Sequence, residues 1–126
     1  MPGLTYDAGA LIAAESNQRT LWAVHRQALE RGLRPVVPAA VLGQAWRGGP
    51  QAELSRLLKG CRVEALDEAR TRAAGEACGR SRTADVIDAS VVVGAIARGD
   101  AVVTSDPKDL RKIASALRAK VTLIAP

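Results

Sequence analysis

Short apolar runs alternate with helical segments along the whole of this 126-residue chain. Leu4–Tyr6, Arg34–Val37, Arg62–Ala65, Ala101–Thr104 and Val121–Ile124 read as strands. Helices fill the intervals. Ala8–Glu15 is short. Arg19–Arg31 is longer, with Asn17 as its cap, Gly32 as its stop and an apolar face of Leu21, Trp22, Val24, Ala28 and Leu29. Pro38 opens Ala39–Trp46, and Gln51–Leu58 follows the break at Gly48-Gly49-Pro50 and ends at Gly60. Asp67 caps Glu68–Cys78, stopped by Gly79, and a basic polar loop then occupies Gly79–Thr83. The last two helices run from about Ala84 to Arg98, where Gly99 stops the first, and over Pro107–Leu117. Such alternation predicts one α/β domain over residues 1–126, with a mostly parallel sheet covered on both faces.

The core must be built from Ala, Val, Leu and Ile, since the chain has no Phe and only two Trp and one Tyr. Aromatic platforms for stacking bases, of the RRM or OB kind, are disfavoured on the same count. The longest apolar run, Ala89–Ala97, is broken by Ser90 and Gly94 and is far shorter than the ~20 residues of a membrane span. Met1-Pro2-Gly3 does not begin a signal peptide, so a cytoplasmic protein is expected. Cys61 and Cys78 are isolated, with no nearby histidine, and read as free thiols rather than zinc ligands. A net charge of +5, carried mainly by arginine, favours a polyanionic partner gripped through its backbone.

Chemistry narrows to the acids. His25, the single histidine, lies mid-helix beside Arg26 and is expected to be exposed or at the core edge; it shares no segment with the aspartates. Triads, histidine-pair ribonucleases and HExxH sites are therefore unsupported, and no GxGxxG or GxxxxGKS is present. Asp7 ends the first strand, Asp106 follows the fourth, and Asp88 lies in the first turns of the helix before it. Ligands of open α/β sheets bind beyond the carboxyl ends of the strands, and carboxylates gathered there repel unless a cation or a proton is shared. Each acid also has a bland explanation: Asp106-Pro107 with Asp109 makes a good helix start, and Thr83 or Asp85 can cap the helix that holds Asp88. Asp88 is the hardest to explain that way, because Ala-Ser-Val-Val-Val follows it and an unpaired carboxylate there is costly to bury. Small residues after Asp7, among them Gly9, let the backbone crowd a site.

Four segments taken together resemble the PIN-domain nucleases, above all the small VapC-type toxins of bacterial toxin–antitoxin pairs. They are Asp7-Ala-x-Ala-Leu-Ile-Ala, Val36-Val37-Pro38-Ala39-Ala40-Val41-Leu42, Asp85-x-x-Asp88-Ala89 and Val102-Val103-Thr104-Ser105-Asp106. The resemblance implies a PIN-like three-layer sandwich with a central, mostly parallel five-stranded sheet flanked by helices. It also implies cleavage of RNA phosphodiesters with Mg²⁺ or Mn²⁺. Carried over by position, Asp7, Asp88 and Asp106 match the metal-binding and catalytic acids, with Asp85 or Asp109 in support and Thr104 and Ser105 close by. A homodimer and a cognate antitoxin protein are implied as partners.

One position departs from the pattern. Gln44 stands where the family usually has a glutamate, which removes one negative charge from the site. Glu15 is a poor replacement, about 12 Å along the helix from Asp7, and Asp85 is better placed. The alternative reading is a catalytically weakened or inactive PIN-like module that binds RNA or protein. Trp46 and Arg47, read as following on the helix of Gln44, are candidates for an RNA or peptide contact, and Arg80 and Arg82 for phosphate contacts before Asp85. A phospho-acceptor domain of the receiver kind would share the strand-end acids but needs a lysine after a late strand, and none follows Val121–Ile124.

Overall fold

The computed structural model describes residues 2–126. Its strands are β1 (Leu4–Tyr6), β2 (Val36–Pro38), β3 (Arg62–Glu64), β4 (Ala101–Val103) and β5 (Leu123–Ile124). All pair in parallel, in the order β3-β2-β1-β4-β5. Parallel neighbours need crossovers, and the helices supply them: α1 (Ala8–Glu15), α2 (Arg19–Glu30), α3 (Ala39–Ala45), α4 (Ala52–Lys59), α5 (Glu68–Ser81), α6 (Val86–Arg98) and α7 (Pro107–Ala116). α1 to α4 pack together on one face and α5 to α7 on the other, which gives the three-layer α/β sandwich that the alternation predicts.

Strand alternation assigns the residues of β1 to the two faces. Tyr6 is fully buried toward α2, where its hydroxyl lies 2.8 Å from Nδ1 of His25. His25 is therefore not at an exposed edge; it is buried and meets Trp22 edge to face. Burial, and then the charge of Arg56, lowers its pKa. Leu29, expected on the apolar face of the same helix, is instead exposed. On the other face, buried Thr5 shares Asp100 with Arg98, and Arg98 also reaches Glu64 at 2.7 Å. That network ties the end of α6 to the central and outer strands.

The core is as free of large aromatics as the composition requires. Leu11, Leu21, Leu54, Leu57, Leu110 and Ile113 fill it with Val37, Val41, Val91, Val92 and Val102. Each such side chain contributes roughly 1.5–3 kcal/mol of burial, and this allows strands of two or three residues to persist.

Several boundaries differ from the sequence expectation. Asn17 does not cap α2: it adopts φ 56°, a left-handed turn that asparagine tolerates, and Gln18 precedes the helix without a side-chain cap. Helix α5 does not stop at Gly79 but runs to Ser81, and Arg82 takes the left-handed terminating position. The expected basic loop is thus mostly helix, held by the Ser81 hydroxyl on the carbonyl of Ala77. Trp46 and Arg47 lie beyond α3 rather than on it. Helix α6 begins at Val86, with Asp85 as its cap.

Candidate metal centre

The strand order reverses between β1 and β4, since the chain steps outward to β2 and β3 on one side and to β5 on the other. A crevice opens at the carboxyl ends of strands where the order reverses. Asp7 leaves β1 at this point, Asp106 follows β4, and the amino end of α6 brings in Asp88.

Asp7 is buried and held on both oxygens. Oδ1 accepts from the backbone N–H of Ala8 at 2.8 Å, and Oδ2 accepts from the Thr104 hydroxyl at 2.8 Å. Thr104 Oγ1 in turn accepts from the backbone N–H of Asp106 at 2.9 Å. One buried hydroxyl therefore sets Asp7 and the entry to α7 relative to each other. The two strand ends also approach closely, as the small residues after Asp7 suggested: a Cβ on Gly9 would lie 2.9 Å from the backbone nitrogen of Ser105.

Capping explains Asp85 but not Asp106. The Asp85 side chain accepts from the N–H of Asp88 at 2.9 Å and starts α6. Asp106 occupies the corresponding position of α7 with φ −128° and ψ 64°, and its side chain makes no cap bond. Its carboxylate is turned instead to a cluster. Asp88, Asp106 and Asp109 each present an oxygen within 4.8 Å of the others. Asp109, expected as a supporting residue, is thus grouped with Asp88 and Asp106, while Asp7 and Asp85 lie outside that triplet.

The electrostatics carry the same message. Asp88 is pushed up from 3.8 to about 7, first by burial and then by the charges of Asp85, Asp7, Asp106 and Asp109. Asp106 is raised as well, by desolvation, then by the charge of Asp109 and a hydrogen bond with it, and then by Asp7 and Asp85. Among the described residues no ion pair brings a lysine or arginine to Asp88, Asp106 or Asp109. Hard oxygen donors with uncompensated negative charge suit Mg²⁺ or Mn²⁺. Three carboxylate oxygens within 4.8 Å of one another would have to draw closer to share one such cation, since adjacent ligands of an octahedral Mg²⁺ stand about 3 Å apart.

The other acids and cations named from the sequence have different surroundings. Glu15 does not approach the centre; its carboxylate accepts from the backbone N–H of Leu54 and caps α4. Gln44 is half-buried on α3, with no side-chain hydrogen bond among the described residues. Arg47 donates to the carbonyls of Gly43 and Trp46, closing the end of α3. Arg80 sits on α5, not in a loop, and donates to the carbonyl of Ala116, about 10 Å along α7 from Asp109. Of the arginines proposed for phosphate contact, Arg82 is the one that stays exposed and unpaired beside the start of α6. A cavity of about 810 Å³ is lined by Trp22, His25, Leu29 and Arg56 and contains none of the clustered aspartates.

No family model and no curated protein matches the sequence. Solved structures do match the fold. A chain of the VapBC2 structure from Rickettsia felis, bound to a DNA fragment from its promoter, is similar with a TM-score of 0.72 at 14% identity over 98% of both chains. PAE2754 from Pyrobaculum aerophilum is similar with a TM-score of 0.65 at 15% identity, over 98% of this chain and 83% of that one. The chain has a VapC-type PIN-domain fold.

Proposed function

Taking the VapC-type PIN-domain fold as the premise, we propose that this protein is a Mg²⁺- or Mn²⁺-dependent endoribonuclease, the toxin of a toxin–antitoxin pair. The observation that carries the reading is the convergence of Asp88, Asp106 and Asp109 where the strand order reverses. Asp109 supplies a third carboxylate despite the glutamine at position 44, which supports a competent site over a decayed one.

In this reading Asp88, Asp106 and Asp109 hold the cation. Asp7, fixed by Thr104, adds a fourth negative charge at the inner wall. A bound divalent cation supplies the Lewis acidity that neutralises a scissile phosphate and makes a bound water a better nucleophile. Without it, Asp88 shares its time between the protonated and charged forms near neutral pH, and a cation held there would displace the proton. Arg82 is available for a substrate phosphate. The partners proposed with this function are an RNA substrate, a cognate antitoxin protein and a second copy of the chain. Support for the antitoxin comes from the R. felis neighbour, whose structure is a VapBC2 complex on its promoter DNA.

The test is direct. Purified protein cleaves a structured RNA with Mn²⁺ or Mg²⁺, stops in EDTA, and loses activity on Asp7→Asn. Cleavage that survives both EDTA and Asp7→Asn refutes the proposal.

A further inference from the structure

At least half of the eighteen lysine and arginine side chains are already engaged. Six arginines stand in ion pairs and three others donate to backbone carbonyls. Helix α7 gathers three of those that are not. Lys108, Arg111 and Lys112 are exposed, and none has a partner among the described residues. At helical spacing they share one face, continued by Ser115, directly opposite the buried face of Leu110, Ile113 and Ala114. The stripe starts one residue before Asp109, and Lys108 and Lys112 stand about 6 Å apart along the axis.

We infer that this face of α7 is the track for the RNA backbone, leading the strand to the acid cluster. The inference rests on the nuclease reading for its direction and on the charges of α7 for its substance. A polyanion approaching Asp88, Asp106 and Asp109 meets net repulsion, so an adjacent strip of uncompensated positive charge is needed to seat it. The strip has no apolar residue to anchor a peptide side chain, and protein partners depend on such anchors. It also has no aromatic residue to stack a base. What remains is a grip on phosphates, which positions a strand without reading its sequence. Arg80 and Arg47, committed to backbone carbonyls, yield this role to the three residues of α7.

Binding is measured with the Asp7→Asn protein in EDTA, where nothing is cleaved, using a fluorescein-labelled oligouridine across a salt series. Each phosphate contact on a single strand contributes a slope of about −0.7 in log K against log salt, so Lys108→Gln, Arg111→Gln and Lys112→Gln together flatten the slope by about 2. At ~0.1 M salt the same change weakens binding roughly a hundredfold. A control triple, Arg19→Gln, Arg26→Gln and Lys59→Gln, removes equal charge from α2 and α4 and keeps the slope. An unchanged slope in the α7 triple, or an equal loss in the control, overturns the inference. So does poly-glutamate that binds as tightly as oligouridine and loses as much in the α7 triple, which would reassign the strip to an acidic polypeptide. The two readings fail separately: salt-dependent binding through α7 in a protein that cleaves no RNA keeps the track and removes the nuclease, whereas cleavage with an unaltered slope does the reverse.

Discussion

Replacing Asp88 by asparagine makes the metal-free protein more stable, and the effect depends on pH in a calculable way. Its carboxyl is raised from 3.8 to about 7, so the folded chain binds a proton there more tightly than the unfolded chain does. The stability this proton confers is fully present below pH ~4 and is lost as pH rises through ~7. Three units correspond to about 4 kcal/mol as an upper bound. Water screens a half-buried group, and about 2 kcal/mol is the working figure. Asparagine is the neutral isostere, so Asp88→Asn recovers that amount at pH 8 and almost nothing at pH 4. For a chain of 126 residues, 2 kcal/mol corresponds to a rise of about 8 °C in melting temperature. Thermal unfolding of both proteins in EDTA at pH 4 and pH 8 measures it, and Mg²⁺ should then raise the wild type alone. Equal or lower stability of the variant at pH 8 would refute the idea that the carboxylates are uncompensated.

Thr104→Val keeps the shape of a buried side chain but removes the bond to Asp7 and the acceptor for the Asp106 N–H. Loss of such an outer hydrogen bond costs 10- to 100-fold in metal affinity or activity, read as Mn²⁺ affinity and initial cleavage rate. Tyr6→Phe leaves Nδ1 of buried His25 without its partner and lowers stability by about 1–3 kcal/mol, read by urea unfolding, with no change in Mn²⁺ affinity. Gln44→Glu restores a carboxylate at the position where the family pattern has one, and tightens Mn²⁺ binding in calorimetric titration; an unchanged affinity would place residue 44 outside the cation's reach.

Much of this arrangement was legible because it depends on periodicity. The alternation of apolar runs and helical segments required crossovers, and crossovers required a parallel sheet with an end at which Asp7 and Asp106 emerge. What periodicity does not encode was misplaced. Gly79 ends no helix, because the Ser81 hydroxyl and a left-handed Arg82 end α5 two residues later. Asn17 resembles a cap in sequence but serves as a left-handed turn. His25 could not be placed from its own helix, since its burial is fixed by Tyr6 on a strand nineteen positions away. The grouping of Asp106 with Asp109 was hidden by a good capping explanation, and only the folded chain shows that the Asp106 side chain makes no cap bond.

Calorimetric titration of the metal-free protein with Mn²⁺ at pH 8 shows whether Asp88, Asp106 and Asp109 hold a cation. The wild type is predicted to bind in a single saturable event, weakening about tenfold per pH unit below ~7 as Asp88 takes up its proton. Asp106→Asn and Asp109→Asn should each abolish that event. Binding that is absent in the wild type, or untouched by both substitutions, would contradict the assignment of these acids to a metal centre.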